Sequence, residues 1–461
     1  MKKRFSVLLA MLVVLSMILS ACGGAAPAAA PTGGEAAAPA SDAASGEAVT
    51  IEYWLWDANQ LPPYQACADA FMAKNPNIKV NITQSGWGDY WNNIQTGMVA
   101  GTAPDVFTDH LAKYPEFAAK EQLVDIEPFV QRDGVDIGVY LGELADLWAR
   151  DGKRFGLPKD WDTIAIAYNE DAITAAGVTV EELNSLTWNL EDGGSFQEVI
   201  AKLSVDENGN NGLSPDFDPT KVAQYGFIMD GSSGAYGQTQ WSWLTNTTGW
   251  EFNDGLYDTK YNFDDPRYIG TIQWVADMMA KGYIMPLELT TSLGASAAFS
   301  AGKGALHGNG SWMIGALTND SPFPVGFARL PEGPEGRKSM FNGLADSIWV
   351  GSKHQEEAWQ WVKFAASQEC ADIVGNAGVV FPAQQSGVDN ALAAYAAKGL
   401  DVSAFTLQAT EEGGTFLFPV TDNASEIVAI MDPVVQSVWL NQAKAADVIP
   451  PAAAQVNAVF Q

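Results

Sequence analysis

Ring-bearing side chains occur beside carboxylates or amides at three places where the chain is predicted to leave a strand. These places are residues 56–59, 84–87 and 108–110. Flat rings can stack on the apolar face of a solute ring, and charged acceptors make stronger hydrogen bonds to hydroxyl groups than neutral acceptors do. The combination indicates non-covalent binding of a polar solute that contains a ring.

The elements that must position these side chains alternate between strands and helices. Hydrophobic spacing predicts strands over Val49–Trp56, Ile78–Thr83 and from about residue 103, with helices over Tyr64–Lys74 and Tyr90–Ala100. This order implies an α/β sheet with right-handed crossovers. In such sheets ligands bind beyond the carboxyl ends of the strands, which is where the three places lie.

Trp54 and Trp56 point to the same side of the first predicted strand because side chains alternate along a strand. Trp54 lies inside the strand and is predicted to join the core. Trp56 stands at its carboxyl end and is followed by Asp57 and Asn59, so these three residues are candidate ligand contacts. Trp87 lies between two glycines, which predicts a position at the lip of the same cleft.

The composition narrows the classes of function. A chain of 461 residues is long enough for two domains or lobes. Its net charge of −30 repels phosphate backbones and argues against nucleic acid as a partner. Its three histidines fall in no metal or catalytic-triad motif. The many acids leave a glycoside hydrolase open, since that reaction needs two facing carboxylates, and a cell-surface carbohydrate-binding adhesin is also open.

The N-terminus has the pattern of an export signal. Lys2, Lys3 and Arg4 precede an apolar run, and the segment Leu19-Ser20-Ala21-Cys22 resembles the bacterial lipobox. This resemblance implies a signal peptide over residues 1–21 and a lipid on Cys22; the alternative is an ordinary signal peptide. Residues 22–48 are rich in Ala, Pro and Gly and are predicted to form a disordered tether. The protein is therefore expected on the outer face of the cell membrane.

Two further features concern covalent and metal chemistry. The expected compartment permits a disulfide between Cys67 and Cys370, but two unpaired buried thiols are the favoured interpretation. Asp206, Asn208 and Asn210 space oxygens like the opening of a calcium loop, although Asn211 stands where that loop has glycine. A solvated turn is favoured there, and no other cofactor is predicted.

Four segments, taken in order, resemble one family. They are residues 71–80 (FMAKNPNIKV), residues 101–106 (GTAPDV), Gly-Leu-Pro at 156–158 with Tyr-Asn-Glu-Asp at 168–171, and Gly-Lys-Gly-Ala-Leu at 302–306 with Gly-Ser-Trp at 310–312. Their order and spacing resemble the family 1 extracellular solute-binding proteins of ABC importers, from Val49 to the end of the chain. The resemblance implies a two-lobed α/β fold of the periplasmic-binding-protein kind (type II), whose lobes are joined by crossover hinge strands.

The resemblance also implies lobe limits and ligand contacts. The first lobe would comprise residues 49–162 and 345–408, and the second residues 163–344 and 409–461. Family positions transfer a ligand contact to Asp109 or His110, since the segment is one residue shorter here, and to Asp162. The remaining implied contacts are aromatic or near the hinge: Tyr236, Trp243, Trp312, Asn342 and Asp346.

The function that the resemblance implies is transport rather than catalysis. A monomeric lipoprotein would capture a sugar, expected to be a neutral mono- or oligosaccharide, and deliver it to the membrane permease of an ABC transporter. The sequence leaves the identity, length and linkage of the sugar open.

Overall fold

The computed structural model describes residues 48–231 and 234–461. Cys22, the predicted signal peptide and the tether up to residue 47 lie outside the described residues. In the described ranges, no helix combines the length and the apolar character that crossing a membrane requires.

Helices and strands alternate along most of the described chain. The strands are β1 (Val49–Leu55), β2 (Ile78–Gln84), β3 (Val106–His110), β4 (Ala149–Arg150), β5 (Lys153–Arg154), β6 (Leu157–Asp162), β7 (Ile164–Asn169), β8 (Val205–Asp206), β9 (Val222–Ile228), β10 (Gly304–Gly310), β11 (Val325–Ala328), β12 (Ser339–Ile348), β13 (Phe381–Pro382) and β14 (Thr415–Leu417). The α-helices are α1 (Leu61–Lys74), α2 (Trp87–Ala100), α3 (Tyr114–Ala119), α4 (Glu127–Asp133), α5 (Glu170–Ala175), α6 (Val180–Asn184), α7 (Gly194–Leu203), α8 (Ser242–Asn246), α9 (Pro266–Ala280), α10 (Leu287–Leu293), α11 (Ala295–Ser300), α12 (Ile314–Asp320), α13 (Gln355–Ala365), α14 (Gln368–Ala377), α15 (Gln385–Ala397), α16 (Ser403–Thr410), α17 (Ala424–Trp439) and α18 (Ala445–Ala458).

The first sheet has the strand order β13-β6-β12-β3-β1-β2, with β14 paired to the start of β12. Strand β1 runs parallel to β2 and β3, whereas β12 runs antiparallel to β3 and β6. Strands β1, β2, β3 and β6 therefore all end at the same edge. The predicted alternation at the start of the chain is confirmed, but β3 begins at Val106 and α2 begins at Trp87, three residues before its predicted start.

The second sheet has the strand order β11-β7-β10-β9-β8. Strand β10 runs parallel to β9 and antiparallel to β7, so the carboxyl ends of β9 and β10 lie beside the start of β7. Thr163 alone separates β6 of the first sheet from β7 of the second. This short connection brings the carboxyl ends of the first sheet's strands close to those of β9 and β10.

Lys159 and Asp346 form a buried ion pair within the first sheet. Nζ of Lys159 lies 3.3 Å from Oδ1 of Asp346, and the side chains are 1% and 2% exposed. Lys159 also donates to the hydroxyls of Thr108 and Tyr53, at 2.7 and 3.0 Å. Both hydroxyls lie within 3.1 Å of Oδ1 of Asp346. The four side chains come from β6, β12, β3 and β1, so one polar cluster joins four strands.

Cys67 and Cys370 form a disulfide, with their Cα atoms 5.3 Å apart. The bond joins α1 to α14. The favoured interpretation of two unpaired thiols is therefore wrong. The two residues are 303 positions apart, and sequence alone carries no information about contact over such a separation.

The loop considered for calcium is closed by its own hydrogen bonds. The carboxylate of Asp206 accepts the backbone N–H groups of Asn208, Asn210 and Asp218, and Nδ2 of Asn210 as well. These donors occupy the oxygens that a calcium ion would need. The geometry favours the structural turn over the metal loop.

Replacing one member of the buried ion pair should destabilise the protein. Lys159→Met leaves Asp346 buried and unpaired, and we expect a loss of about 3–5 kcal/mol in the free energy of unfolding. Adding Asp346→Leu removes the second charge and should recover much of that loss. Urea unfolding followed by tryptophan fluorescence measures both, with the exposed Lys153→Met as control. Equal stability of the wild type and Lys159→Met would contradict this role.

Candidate functional site

A cavity of about 700 Å³ lies between the two sheets, at the edge where β1, β2, β3 and β6 end. Its size falls in the range of small-molecule sites. The side chains that follow β9 and β10 and one face of α17 complete it. The described lining residues are Trp56, Asp57, Ala58, Gln60, Gln84, Trp87, His110, Ala112, Lys113, Asp160, Trp161, Asp162, Asp230, Tyr236, Gln238, Thr239, Ser311, Trp312, Met313, Asn342, Leu344, Val380, Phe418, Ala424, Val428 and Asp432.

The structure brings eight of the predicted contact residues together around this cavity. They come from seven separate places in the chain. These eight are Trp56, Asp57, Trp87, His110, Asp162, Tyr236, Trp312 and Asn342.

The other four predicted residues lie away from the cavity wall. Side chains alternate along β3, so the orientation of His110 into the cavity leaves Asp109 on the opposite face, fully buried. Burial raises the pKa of Asp109 to about 8, although the N–H of His110 donates to its carboxylate. Asp346 belongs to the ion pair with Lys159. The prediction that Asp109 and Asp346 line the cleft is therefore wrong in position.

Trp243 and Asn59 lie outside the cavity lining for different reasons. The ring of Trp243 is fully buried and packs against Phe196 and Phe227, at centroid distances of 5.9 and 6.1 Å. It supports the second sheet from within. Asn59 is exposed, and its backbone N–H donates to Asp57 at 2.8 Å. Asn59 therefore holds the carboxylate of Asp57 in place without lining the cavity itself.

Asp162 stands where the two sheets meet and is held from both sides. Nε2 of Gln238 donates to one carboxylate oxygen at 2.7 Å, and Nδ2 of Asn342 donates to the other at 3.0 Å. Burial raises the pKa of Asp162 well above its usual range, and the two amides oppose this rise. The carboxylate is thus fixed in orientation at the floor of the cavity.

His110 contributes a neutral ring to the wall. Its Nδ1 accepts the backbone N–H of Ala112 at 3.0 Å, and its Nε2 lies 3.1 Å from the amide of Asn342. Burial, together with the nearby charge of Lys113, lowers the pKa of His110 to about 3. The ring therefore carries no charge at neutral pH.

Aromatic rings form a continuous arc from one sheet to the other. The arc runs from Trp56 to Trp87 at 5.1 Å, and from Trp87 to His110 at 5.6 Å between ring centroids. It continues from His110 to Phe418 at 5.2 Å and ends at Tyr236, 5.1 Å further on. Edge contacts of this kind fix the rings, so their remaining faces are available to a solute.

Trp312 depends on a glycine two residues earlier. A Cβ atom added at Gly310 would lie 1.9 Å from the Trp312 ring, so the ring rests on the bare backbone of β10. The backbone of Gly310 has φ −88° and ψ 164°, which any residue can adopt. The glycine is therefore needed for close approach of the ring and not for its dihedral angles.

Several lining residues escaped the sequence prediction. Asp160 lies two residues before Asp162 in β6, and the alternation of a strand would have placed both on one face. Gln238 and Asp432 come from a loop and from α17, where no periodic pattern indicated a site. These positions required the tertiary structure.

The family model for bacterial extracellular solute-binding proteins matches residues 57–370. The chain belongs to this family. A binding protein of Brucella abortus (strain 2308) is 24% identical over 436 residues, which cover 92% of this solute-binding protein and 95% of the relative. The lactose-binding protein of Rhizobium radiobacter is 29% identical over 176 residues, or 35% of this chain and 38% of that one.

The fold agrees with solved structures of the same kind. Maltose-bound MalE3 of T. maritima superposes with a TM-score of 0.73 at 19% identity, covering 89% of this chain and 100% of that one. The predicted two-lobed α/β fold is confirmed. Like the other members of its family, the protein binds a solute and is not an enzyme. Membership of an extracellular family indicates that it acts outside the cytoplasm.

The support of Trp312 by Gly310 can be tested directly. Gly310→Ala should push the Trp312 ring off β10 and change the near-ultraviolet circular dichroism of the protein. Gly315→Ala is the matched control, because a Cβ there meets no atom within 4 Å. In a Trp312→Phe background the spectral change should be largely lost. An unchanged spectrum of Gly310→Ala would show that the ring does not rest there.

Proposed function

We propose that the protein captures a sugar in the cavity between its lobes and delivers it to the membrane permease of an ABC transporter. The observation that carries this proposal is the aromatic arc that faces a floor of fixed carboxylates. Sugars combine hydroxyl groups with weakly apolar ring faces, and this wall offers a partner for each. The lactose-binding and maltose-bound relatives support the same solute class.

The lobes are proposed to be residues 49–162 with 345–408, and residues 163–344 with 409–461. Contacts between these segments lie beside the cavity. The hydroxyls of Tyr114 and Tyr257 are 2.7 Å apart, and Ser425 donates to Glu116 at 2.6 Å. Arg150 pairs with Asp422. We propose that these contacts hold the lobes together in the closed form and that the short connections between the sheets act as the hinge.

The same proposal specifies the location and the partners of the protein. A lipid on Cys22 would keep the protein at the outer face of the membrane, within reach of its permease. Each lobe would dock on one half of the permease, and the protein would act as a monomer. A cell-surface adhesin would use the same cavity but would not need closure.

Loss of the Trp312 ring should weaken sugar binding. One stacked ring contributes roughly 1 kcal/mol beyond burial, so Trp312→Ala should raise the Kd of a sugar found by thermal-shift screening about fivefold or more. Isothermal titration measures this change. Phe217→Ala removes a ring that lies outside the cavity lining and serves as control. Equal affinities of the wild type and Trp312→Ala would remove this residue from the site.

Ligand-induced compaction separates a transport receptor from an adhesin. Small-angle scattering of the full chain with saturating sugar should show a smaller radius of gyration than without sugar. A variant that loses one contact between the proposed lobes, Tyr257→Phe, should need more sugar to reach the same compaction. Sugar binding without any compaction would favour the adhesin.

A further inference from the structure

The described wall of the cavity carries many more acidic than basic side chains. Lys113 is the one Lys or Arg among the described lining residues, and His110 is neutral because burial lowers its pKa to about 3. Against this single cation stand five aspartates: Asp57, Asp160, Asp162, Asp230 and Asp432. Burial raises the pKa of Asp57, Asp160, Asp162 and Asp432, and a cation bound beside these carboxyl groups would favour their ionised forms.

Asp160 is a cavity-lining aspartate with a carboxylate oxygen that has no hydrogen-bond partner among the described residues. The residue is 2% exposed, and its Oδ2 accepts no hydrogen bond from the described residues. By contrast, Asp162 accepts two side-chain amides, and Asp432 accepts the N–H of Ala235 at 2.6 Å. A buried carboxylate is unfavourable unless it is paired. Because Asp160 lines the cavity, a hydrogen-bond donor on a solute can reach this carboxyl group.

The lysine that precedes Asp160 in the chain is already committed. Nζ of Lys159 lies among Tyr53, Thr108 and Asp346 in the core cluster. Burial raises the pKa of Asp160 to about 7; the charge of Lys159 lowers it in part, and the charges of Asp346 and Asp57 raise it further. A cation bound beside this carboxyl would favour the ionised form.

The aromatic side chains that line the cavity also suit a cationic partner. The faces of tryptophan rings attract ammonium groups as well as sugar rings, and Trp56, Trp87 and Trp312 line the cavity with Asp160. Within residues 48–231 and 234–461, no three histidine, cysteine, aspartate or glutamate side chains are grouped as metal ligands would be. An organic ammonium needs only one carboxylate and neighbouring rings.

We propose that the solute is a carbohydrate that carries a protonated amino group, and that Asp160 is the counter-ion of that group. The proposal rests on the proposed function, because it specifies which sugar the cavity selects. It replaces the neutral sugar expected from the family resemblance with an aminated one. The hydroxyl groups of the same sugar would bind Asp57, Asp162 and the amide of Gln238.

The test compares sugars that differ in a single substituent. Mono-, di- and trisaccharides of several linkages are titrated calorimetrically into the full chain at pH 7, each as the 2-amino sugar, its N-acetylated form and its 2-hydroxy counterpart. We expect the amino form to bind at least about tenfold more tightly than either matched form, because only the amino form makes a charge-assisted contact. Acetylation removes the charge but keeps the nitrogen, so it isolates the ionic part.

Variants then assign the preference to one residue. Asp160→Asn should reduce the preference for the amino form to less than about twofold, whereas Asp160→Glu, which keeps the charge, should retain part of it. Asp216→Asn changes an exposed aspartate outside the cavity lining and should leave the preference intact. Melting temperatures confirm that each variant is folded, and the wild-type titration decides the solute class whatever the variants do.

Each outcome has a separate meaning. Binding of hydroxy sugars with no gain from the amine overturns this inference and leaves the proposed function standing. Binding of no sugar in any form overturns both. A preference for the amine that persists fully in Asp160→Asn overturns the role of Asp160.

Discussion

The buried ion pair between Lys159 and Asp346 is the interaction on which the site depends. Lys159 occupies an irregularity in β6, where Asp160 pairs with Leu344 and Pro158 pairs with Ala345. Such bulges re-aim side chains and are common next to binding sites. The extra residue is directed into the core cluster with Tyr53 and Thr108, and the next residue, Asp160, lines the cavity. A core interaction thus determines which carboxylates the solute meets.

The cavity wall combines fixed and unsatisfied groups. Asp162 is held by Gln238 and Asn342, which come from elements on either side of it, so its orientation is set before a solute arrives. Preorganisation of this kind lowers the cost of ordering on binding. One carboxylate oxygen of Asp160 has no hydrogen-bond partner among the described residues, and in our proposal the amino group of the solute supplies it. Asp162 would then contribute to affinity and Asp160 to selectivity, although both residues belong to β6.

Much of the fold and part of the site could be predicted from the sequence, for identifiable reasons. Strand periodicity and loop position located Trp56, Asp57 and Trp87, and the family motifs located Asp162 and Trp312. The two errors in β3 and β12 have different causes: Asp109 lies on the opposite face of β3 from His110, whereas Asp346 pairs with Thr108 further along β12, in the core cluster with Lys159. Phe418 and Asp432 come from the last part of the chain and reach the cavity only through tertiary contacts. The disulfide was missed because pairing over 303 residues leaves no local pattern.

The bond between Cys67 and Cys370 has a topological consequence. All strands of the second sheet, from Ile164 to Ala328, lie in the chain segment that this bond encloses. The first sheet, by contrast, also takes strands from outside that segment, since β1 precedes Cys67 and β13 and β14 follow Cys370. A polypeptide cleaved once anywhere inside the enclosed segment therefore remains a single covalent particle, and its two fragments separate only after a reductant has opened the bond.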